Sequence, residues 1–253
     1  MALIGIMDSG AGGLSVFREI RKALPEERYF YFSDNAHCPY GEKTQEYIQD
    51  RCRTIVQGMV DKGAEAVVIA CNTATAAAVA MLREEFSIPF IGMEPAVKPA
   101  ARGTSSGVIG VLATAGTLKA SKYLNTKERF EDDVRIEEHV GEGFVELVEN
   151  CELSGPHAED VVRASLQPLL EAGADTIVLG CTHYPFLLPT LRKVAAELRP
   201  GAEIRFIDPA SAVARQLVNV MEQKGISKTD ANPGVELQCS GAADTLKHIF
   251  DNL

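Results

Sequence analysis

Two of the six cysteines stand where a thiol can do chemistry. Cys71 and Cys181 each follow a short apolar run that predicts a buried strand, and each precedes a segment with helical periodicity. Because the macrodipole at a helix N-terminus favours an anion, these positions favour the thiolate form. No CxxC pair is present, so the spacing indicates neither a zinc site nor a thioredoxin-like redox motif. The other cysteines are predicted to be small side chains of the core: Cys38, Cys52, Cys151 and Cys239. For Cys38, which adjoins the turn at residues 39–41, a place near the site stays open.

A pair of thiols at one carboxylate site is suited to inverting a stereocentre. One thiolate removes a proton from one face of a carbon, and the other thiol donates a proton to the opposite face. The backbone N–H groups after each cysteine, with the hydroxyls of Thr73 and Thr182, are suited to holding a carboxylate. Asp8, at the end of the first predicted strand, and His183 would accept, donate or orient protons. This acid–base chemistry needs neither a metal nor a cofactor.

Predicted strands and helices alternate along the chain. The apolar runs that predict strands are residues 3–7, 29–32, 66–70, 89–93, 108–112, 134–136, 176–179 and 204–207. Helical periodicity is clearest in residues 15–24, 45–62 and 72–86. Strands that are buried on both faces and separated by helices indicate parallel sheets with right-handed crossovers.

The two halves of the chain resemble each other. Residues 4–6 match residues 109–111, and residues 94–96 match residues 208–210, with the two cysteine motifs in the same order between them. Matches that recur in one order indicate two copies of a similar unit. We therefore predict an α/β protein with two similar open, mostly parallel sheets, each in its own domain, the domains being related by a pseudo-twofold axis.

The predicted domain boundaries follow from the same matches. The first domain takes residues 1–97 and 207–253, because the last segment is expected to return to it, and the second takes residues 98–206. Open α/β sheets bind ligands beyond the carboxyl ends of their strands. The active site is therefore expected in the cleft between the two domains.

Length and composition limit the possible partners. The chain has 253 residues, of which 46% are hydrophobic and 24% charged, an ordinary balance for a globular protein. Its net charge of −10 argues against binding to nucleic acid or to an anionic membrane. No apolar stretch approaches the roughly 18 residues of a spanning helix, and the N-terminus lacks the pattern of a signal peptide. We expect a cytoplasmic protein with reduced thiols and a small-molecule ligand.

Four motifs in order carry a resemblance to a known family. They are Asp8-Ser9-Gly10, Pro39-Tyr40-Gly41, Ala70-Cys71-Asn72-Thr73 and Gly180-Cys181-Thr182-His183-Tyr184-Pro185. Together they resemble the glutamate racemases of the aspartate/glutamate racemase superfamily. The resemblance implies interconversion of L-glutamate and D-glutamate without a cofactor or a metal. It also implies a homodimer whose D-glutamate supplies peptidoglycan synthesis.

The same resemblance implies roles for individual residues. Cys71 would deprotonate D-glutamate, and Cys181 would deprotonate L-glutamate. The assisting residues would be Asp8, His183 and Glu149, the last of which closes the matching stretch Phe-Val-Glu-Leu-Val-Glu. The residues expected to contact substrate are Asp8, Ser9, Pro39, Tyr40, Gly41, Cys71, Asn72, Thr73, Thr114, Thr117, Cys181, Thr182 and His183.

Three other functions stay open on the sequence. The glycine-rich segment from Gly10 to Ser15, with Asp34 further on, is similar to a dinucleotide-binding fingerprint, although Ser15 replaces its third glycine. That motif explains neither catalytic cysteine. A two-lobed binding protein would also hold a carboxylate, but it would not need paired thiols. Racemases of aspartate or of hydantoins share the two cysteines, whereas the residues beside the cysteines favour glutamate.

Overall fold

The computed structural model describes residues 2–226 and 233–253. The strands there, in chain order, are β1 (Leu3–Asp8), β2 (Arg28–Ser33), β3 (Ala64–Ile69), β4 (Phe90–Ile91), β5 (Val108–Ala113), β6 (Arg135–Val140), β7 (Thr176–Gly180), β8 (Arg205–Ile207) and β9 (Gly234–Cys239). The α-helices are α1 (Leu14–Ala23), α2 (Gln45–Asp61), α3 (Asn72–Glu85), α4 (Val97–Gly103), α5 (Ala115–Leu118), α6 (Ser121–Glu128), α7 (Phe144–Glu149), α8 (Pro156–Glu171), α9 (Leu188–Leu198), α10 (Ala210–Lys224) and α11 (Asp244–Asp251). None of the helices in these ranges combines the length and the apolar character that a membrane crossing needs.

The strands form two separate parallel sheets. Their orders are β4-β3-β1-β2-β9 and β6-β5-β7-β8, and every strand pairing is parallel. The prediction of two parallel-sheet α/β domains is therefore confirmed. The order β4-β3-β1-β2 repeats as β8-β7-β5-β6, so β1 corresponds to β5 and β3 corresponds to β7. The chain divides into unit 1 (Met1–Met93 with Ala210–Leu253) and unit 2 (Glu94–Pro209).

Helices cover both faces of the sheet in unit 1. Side chains alternate across β2, so Tyr29 and Tyr31 meet Phe17 of α1 with ring centroids 5.2 and 6.2 Å apart. Phe30 points to the other face, where it joins a buried cluster that includes Met59 of α2. Burial on both faces explains why the strands of this sheet are continuous apolar runs.

A glycine lies at the same place in the first strand of each sheet. A Cβ at Gly5 of β1 would lie 2.7 Å from Sδ of Met59 on α2. A Cβ at Gly110 of β5 would lie 2.7 Å from Cδ1 of Ile177 and 3.0 Å from Cδ1 of Leu169 on α8. Glycine therefore allows close packing at both places, which gives a physical reason for the match between residues 4–6 and 109–111.

The sequence does not predict β9, which forms one edge of the first sheet. It pairs with β2 from Gly234 opposite Arg28 to Cys239 opposite Ser33. Its residues alternate between exposed and half-buried, so the strand lacks the continuous apolar run by which the central strands are identified.

The expectation that four cysteines are core side chains holds for only one of them. Cys52 is fully buried, and burial raises the pKa of its thiol to about 12, so that it stays protonated. The half-buried cysteines are Cys38, Cys151 and Cys239, for which the core prediction is wrong.

The Asp175 carboxylate anchors the loop that leads into β5 of unit 2. Its Oδ1 accepts hydrogen bonds from the hydroxyls of Thr104 (2.6 Å) and Thr176 (2.9 Å). Its Oδ2 accepts from the backbone N–H groups of Ser105 and Ser106, both at 2.7 Å. Burial opposes ionisation of this carboxyl, but these four hydrogen bonds lower its pKa below the usual value.

We expect Asp175→Asn to destabilise the protein by about 1–3 kcal/mol near neutral pH. The amide nitrogen of asparagine would replace a carboxylate oxygen that accepts hydrogen bonds, and this nitrogen can only donate. A folded-state pKa below the ordinary value stabilises the protein above about pH 4, and this contribution is lost as the pH falls through the lowered pKa. The difference between variant and wild type in urea unfolding should therefore shrink below about pH 4. The exposed Asp132→Asn is the control, and equal stability of both variants near neutral pH would contradict the anchoring role.

Candidate functional site

Cys71 lies at the carboxyl edge of the sheet in unit 1. It follows β3 closely and is the N-cap of α3, as the sequence predicts. Its sulfur accepts a hydrogen bond from the N–H of Ala74 at 3.4 Å. The Ser9 hydroxyl, which follows β1, lies 3.7 Å from the same sulfur. The Cys71 sulfur therefore has polar neighbours at the edge of the sheet where open α/β sheets bind their ligands.

The next two residues of α3 provide polar groups beside Cys71. Asn72 is only 4% exposed, yet within the described part of the chain neither its amide oxygen nor its amide nitrogen has a hydrogen-bond partner. Thr73 is also buried. Buried amides are nearly always hydrogen-bonded, and leaving one unpaired is costly. The Asn72 side chain is therefore suited to binding a polar ligand next to the thiol.

Asp8 organises the glycine-rich loop that follows β1. It is fully buried, and its Oδ2 accepts hydrogen bonds from the N–H groups of Gly10 (3.2 Å) and Gly13 (2.8 Å). A Cβ at Gly13 would lie 2.6 Å from the Cβ of Asp8, so the glycine allows this close approach. Two N–H groups of the proposed dinucleotide fingerprint therefore face a carboxylate of the protein. This placement argues against the dinucleotide interpretation.

Residues 39–41, called the substrate loop below, differ in how deeply they are buried. The Tyr40 side chain is buried, and its hydroxyl donates a hydrogen bond to Oδ2 of Asp34 at 2.5 Å. Pro39 and Gly41 are half-buried. The Tyr40 phenol is therefore engaged within the protein, and the backbone of this loop is the part suited to contacting a ligand.

Cys181 follows β7 in unit 2 and is the first of three side chains that contact one another in sequence. Its sulfur lies 3.7 Å from Nδ1 of His183. The other ring nitrogen of His183, Nε2, lies 2.7 Å from Oε1 of Glu149 at the end of α7. When Nε2–H donates to the carboxylate, Nδ1 is the nitrogen that faces the sulfur and can exchange a proton with it. Glu149 would then stabilise the imidazolium, as a carboxylate does in a catalytic triad.

The helix that the sequence predicts after Cys181 is present, but its α-helical part does not begin next to the thiol. Residues Tyr184–Leu187 form a 3-10 turn, and α9 begins only at Leu188. Pro189 lacks the N–H that an α-helix would need to bond the carbonyl of Pro185, so a continuous helix is interrupted here. The His183 ring, rather than the end of an α-helix, is therefore the group beside this thiol.

Threonines occupy the same edge of the second sheet. Thr114 follows β5, which is the neighbour of β7, and it caps α5 by accepting a hydrogen bond from the N–H of Thr117 at 3.3 Å. The two threonine hydroxyls are 3.1 Å apart. Thr182 is buried next to Cys181. These residues line the carboxyl edge, where open α/β sheets bind their ligands.

Each unit thus gathers one set of the residues selected from the sequence. Unit 1 holds Asp8, Ser9, Pro39, Tyr40, Gly41, Cys71, Asn72 and Thr73. Unit 2 holds Thr114, Thr117, Glu149, Cys181, Thr182 and His183. The contact of Tyr40 with Asp34 leaves no signal in the sequence, where Asp34 stands out only as the acidic residue of a possible dinucleotide site.

Known proteins resemble this chain over nearly its whole length. Residues 4–217 match the family described as Asp/Glu/Hydantoin racemase. A protein named glutamate racemase from Ectopseudomonas mendocina is 47% identical over 250 residues, covering 98% of this chain and 93% of the relative. One from Pseudomonas aeruginosa is 50% identical over 226 residues, covering 89% and 83%. The crystal structure of Escherichia coli glutamate racemase with L-glutamate and the activator UDP-MurNAc-ala has a TM-score of 0.86 at 34% identity, covering 99% of this chain and 94% of that one.

Proposed function

The chain belongs to the family of aspartate, glutamate and hydantoin racemases, and on that premise we propose that it interconverts L-glutamate and D-glutamate. The proposed reaction moves a proton at the α-carbon, with Cys71 and Cys181 as the two acid–base groups. The observation that carries the proposal is the matched placement of these cysteines. Each stands at the carboxyl end of a corresponding strand, β3 in one sheet and β7 in the other.

In the direction from L-glutamate to D-glutamate, the Cys181 thiolate would remove the α-proton. The reaction requires the second thiol, Cys71, to donate a proton to the opposite face of the same carbon. The reverse direction exchanges the two roles. His183 and Glu149 support proton exchange at Cys181, because His183 lies between its sulfur and the carboxylate. Asp8 and Ser9 are the corresponding groups proposed for Cys71, and Ser9 contacts its sulfur.

Substrate binding is proposed to use hydrogen bonds rather than a metal or a cofactor. The buried amide of Asn72 offers a donor and an acceptor that the described protein groups leave unpaired. The other proposed contacts are Thr73, Thr182, Thr114, Thr117 and the substrate loop. Preorganised donors near the α-carboxylate would stabilise the negative charge that develops when the α-proton leaves.

We also propose where the enzyme acts, its oligomeric state and the use of its product. Its resemblance to glutamate racemases supports a cytoplasmic homodimer whose D-glutamate supplies peptidoglycan synthesis. Sedimentation of the purified protein tests the dimer. Depletion of the protein in its host tests the role in the cell wall, since growth should then depend on added D-glutamate.

Racemisation is tested with purified protein and separate solutions of L-glutamate, D-glutamate and L-aspartate, without added cofactor. Circular dichroism of both glutamate solutions should decay to zero, because the equilibrium constant between enantiomers is one. The aspartate signal should persist. Decay with aspartate alone would keep the two-thiol chemistry and contradict the proposed substrate. Binding of glutamate with no loss of optical activity would favour a binding protein.

We expect Glu149→Gln to lower kcat for glutamate roughly tenfold to hundredfold, the effect of losing a hydrogen bond to a charged group. The amide keeps the size of the side chain but removes the charge that stabilises the His183 imidazolium. Steady-state rates in both directions measure the effect. Glu152→Gln is the matched control, because Glu152 also pairs with a histidine, with 2.9 Å between its Oε1 and Nδ1 of His157. Equal rates for the two variants would contradict the role of Glu149.

A further inference from the structure

We propose that Asp34 and Arg51 are positioning residues that hold the substrate loop in place through Tyr40. This inference rests on the proposed function, in which the loop binds glutamate. Asp34 directly follows β2 and is fully buried. Arg51 lies on α2, and its guanidinium meets the carboxylate with two hydrogen bonds, Nε to Oδ2 at 2.9 Å and Nη2 to Oδ1 at 2.7 Å.

The two hydrogen bonds fix the Asp34 carboxylate in one orientation. A guanidinium fork that bonds both carboxylate oxygens defines their plane as well as their distance. Burial pushes the pKa of Asp34 upward, but hydrogen bonds from Arg51, Tyr40 and Ser240 outweigh it and lower the pKa. The carboxylate therefore stays ionised at neutral pH and presents a fixed acceptor to the Tyr40 hydroxyl.

Tyr40 transmits this position to the substrate loop. Its hydroxyl donates to Oδ2 of Asp34 at 2.5 Å, and its ring packs in the buried cluster that also contains Cys71. The hydroxyl end of the side chain is thus bonded to the ion pair, while the ring packs in the core of unit 1. Because Tyr40 lies between Pro39 and Gly41, its position determines where the backbone of the substrate loop lies.

The segment after β9 supplies a second anchor to the same region. The Ser240 hydroxyl accepts a hydrogen bond from the N–H of Ala36 at 3.1 Å. Asn35 donates to the carbonyl of Ala242 at 2.5 Å and accepts from the N–H of Gly241 at 2.8 Å. The chain between Asp34 and the substrate loop is therefore held by contacts with residues 240–242 as well as by the ion pair.

The ion pair of Asp34 and Arg51 is better suited to fixing geometry than to stabilising the fold. The Asp34 carboxylate is fully buried, whereas the Arg51 side chain is 25% exposed. Desolvation of the carboxylate offsets much of its attraction to the guanidinium, so the pair contributes little net stability compared with an apolar pair. A rigid fork on a fixed acceptor does define geometry, and substrate positioning is sensitive to displacements of about 1 Å. The arrangement of Asp34, Arg51 and Tyr40 fits that demand.

The test compares Tyr40→Phe with Tyr123→Phe. Each change removes the hydroxyl of a buried tyrosine that donates a hydrogen bond to a carboxylate. The distance is 2.5 Å from Tyr40 to Asp34 and 2.6 Å from Tyr123 to Glu138. We expect Tyr40→Phe to raise KM for both enantiomers about tenfold, the size of one hydrogen bond to a charged group, with kcat changed less than about threefold. Both variants should lower Tm by similar amounts, but Tyr123→Phe should leave KM unchanged.

A second pair of variants tests the fork itself. Arg51→Lys keeps the charge but loses the bidentate geometry, so KM should rise about fivefold while folding is preserved. Arg53→Lys is the control on the same helix, because Arg53 makes a bidentate pair with Glu85. A KM within about twofold of wild type in both Tyr40→Phe and Arg51→Lys would overturn the inference while the racemase function stands. A wild-type protein that does not racemise glutamate would instead contradict the proposed function itself.

Discussion

Replacement of either Cys71 or Cys181 by serine is expected to reduce racemisation about 10³-fold or more, while the fold survives. A serine hydroxyl ionises far less readily than a thiol, so it is a poor proton acceptor at neutral pH, and acid–base groups contribute about 10² to 10⁴ in rate. Both directions should lose kcat/KM equally, because the equilibrium constant between the enantiomers is one. The decay of circular dichroism from each enantiomer measures the effect.

Cys52→Ala is the matched control for the two serine variants. Cys52 is fully buried in the core of unit 1, where burial raises its pKa to about 12 and keeps it protonated. Its loss should lower Tm and leave racemisation within about twofold, since the change creates only a small cavity. Wild-type activity in either Cys71→Ser or Cys181→Ser would contradict the assignment of two acid–base thiols.

His183→Asn is expected to lower kcat about 10²-fold, the lower range for a positioned acid–base group. The histidine is 2% exposed and lies between the Cys181 sulfur and the Glu149 carboxylate, so its removal leaves the sulfur without a proton partner on that side. Asparagine keeps a polar group near Nδ1 but does not titrate. Steady-state kinetics with both enantiomers measures the loss.

His157→Asn is the control for this effect. His157 also pairs with a glutamate, at 2.9 Å from Glu152, but on the exposed surface of the same unit. Its replacement should leave kcat unchanged. If His183→Asn retained kcat within about twofold of wild type, the contacts of His183 with Cys181 and Glu149 would have a structural role only.

Fold class was readable from the sequence because its signal is local. Strands buried on both faces are continuous apolar runs, and the strands before Cys71 and Cys181 lie close to where such runs place them. The repeated Gly5 and Gly110 reflect the same close packing in two sheets. The sequence therefore indicated that the strands run parallel and which residues follow their carboxyl ends.

Features that depend on non-local packing were not readable. The residues of the edge strand β9 alternate between exposed and half-buried, so no apolar run predicts it. The α-helix expected after Cys181 begins later, because Pro189 breaks the hydrogen-bond pattern. The contact between His183 and Glu149 joins residues far apart in the chain, and only the family resemblance brought Glu149 to attention.

Asp34 shows how a residue with a plausible local motif can serve another purpose. Its distance from the glycine-rich segment suggested a dinucleotide site, whereas the structure pairs it with Arg51 and Tyr40. An ion pair between the end of β2 and α2 leaves no periodic pattern in the sequence. Residues of this kind are found only when the fold is known.

The two-thiol mechanism is tested most directly by racemising L-glutamate in D₂O and stopping the reaction early. The enantiomers are then separated, and NMR measures deuterium at the α-carbon of each. Since different groups remove and donate the proton, the D-glutamate formed should carry deuterium while the recovered L-glutamate retains its α-proton. D-glutamate that retained the original α-proton would show that a single group carries the proton across, which would contradict the assignment of Cys71 and Cys181 as separate acid and base.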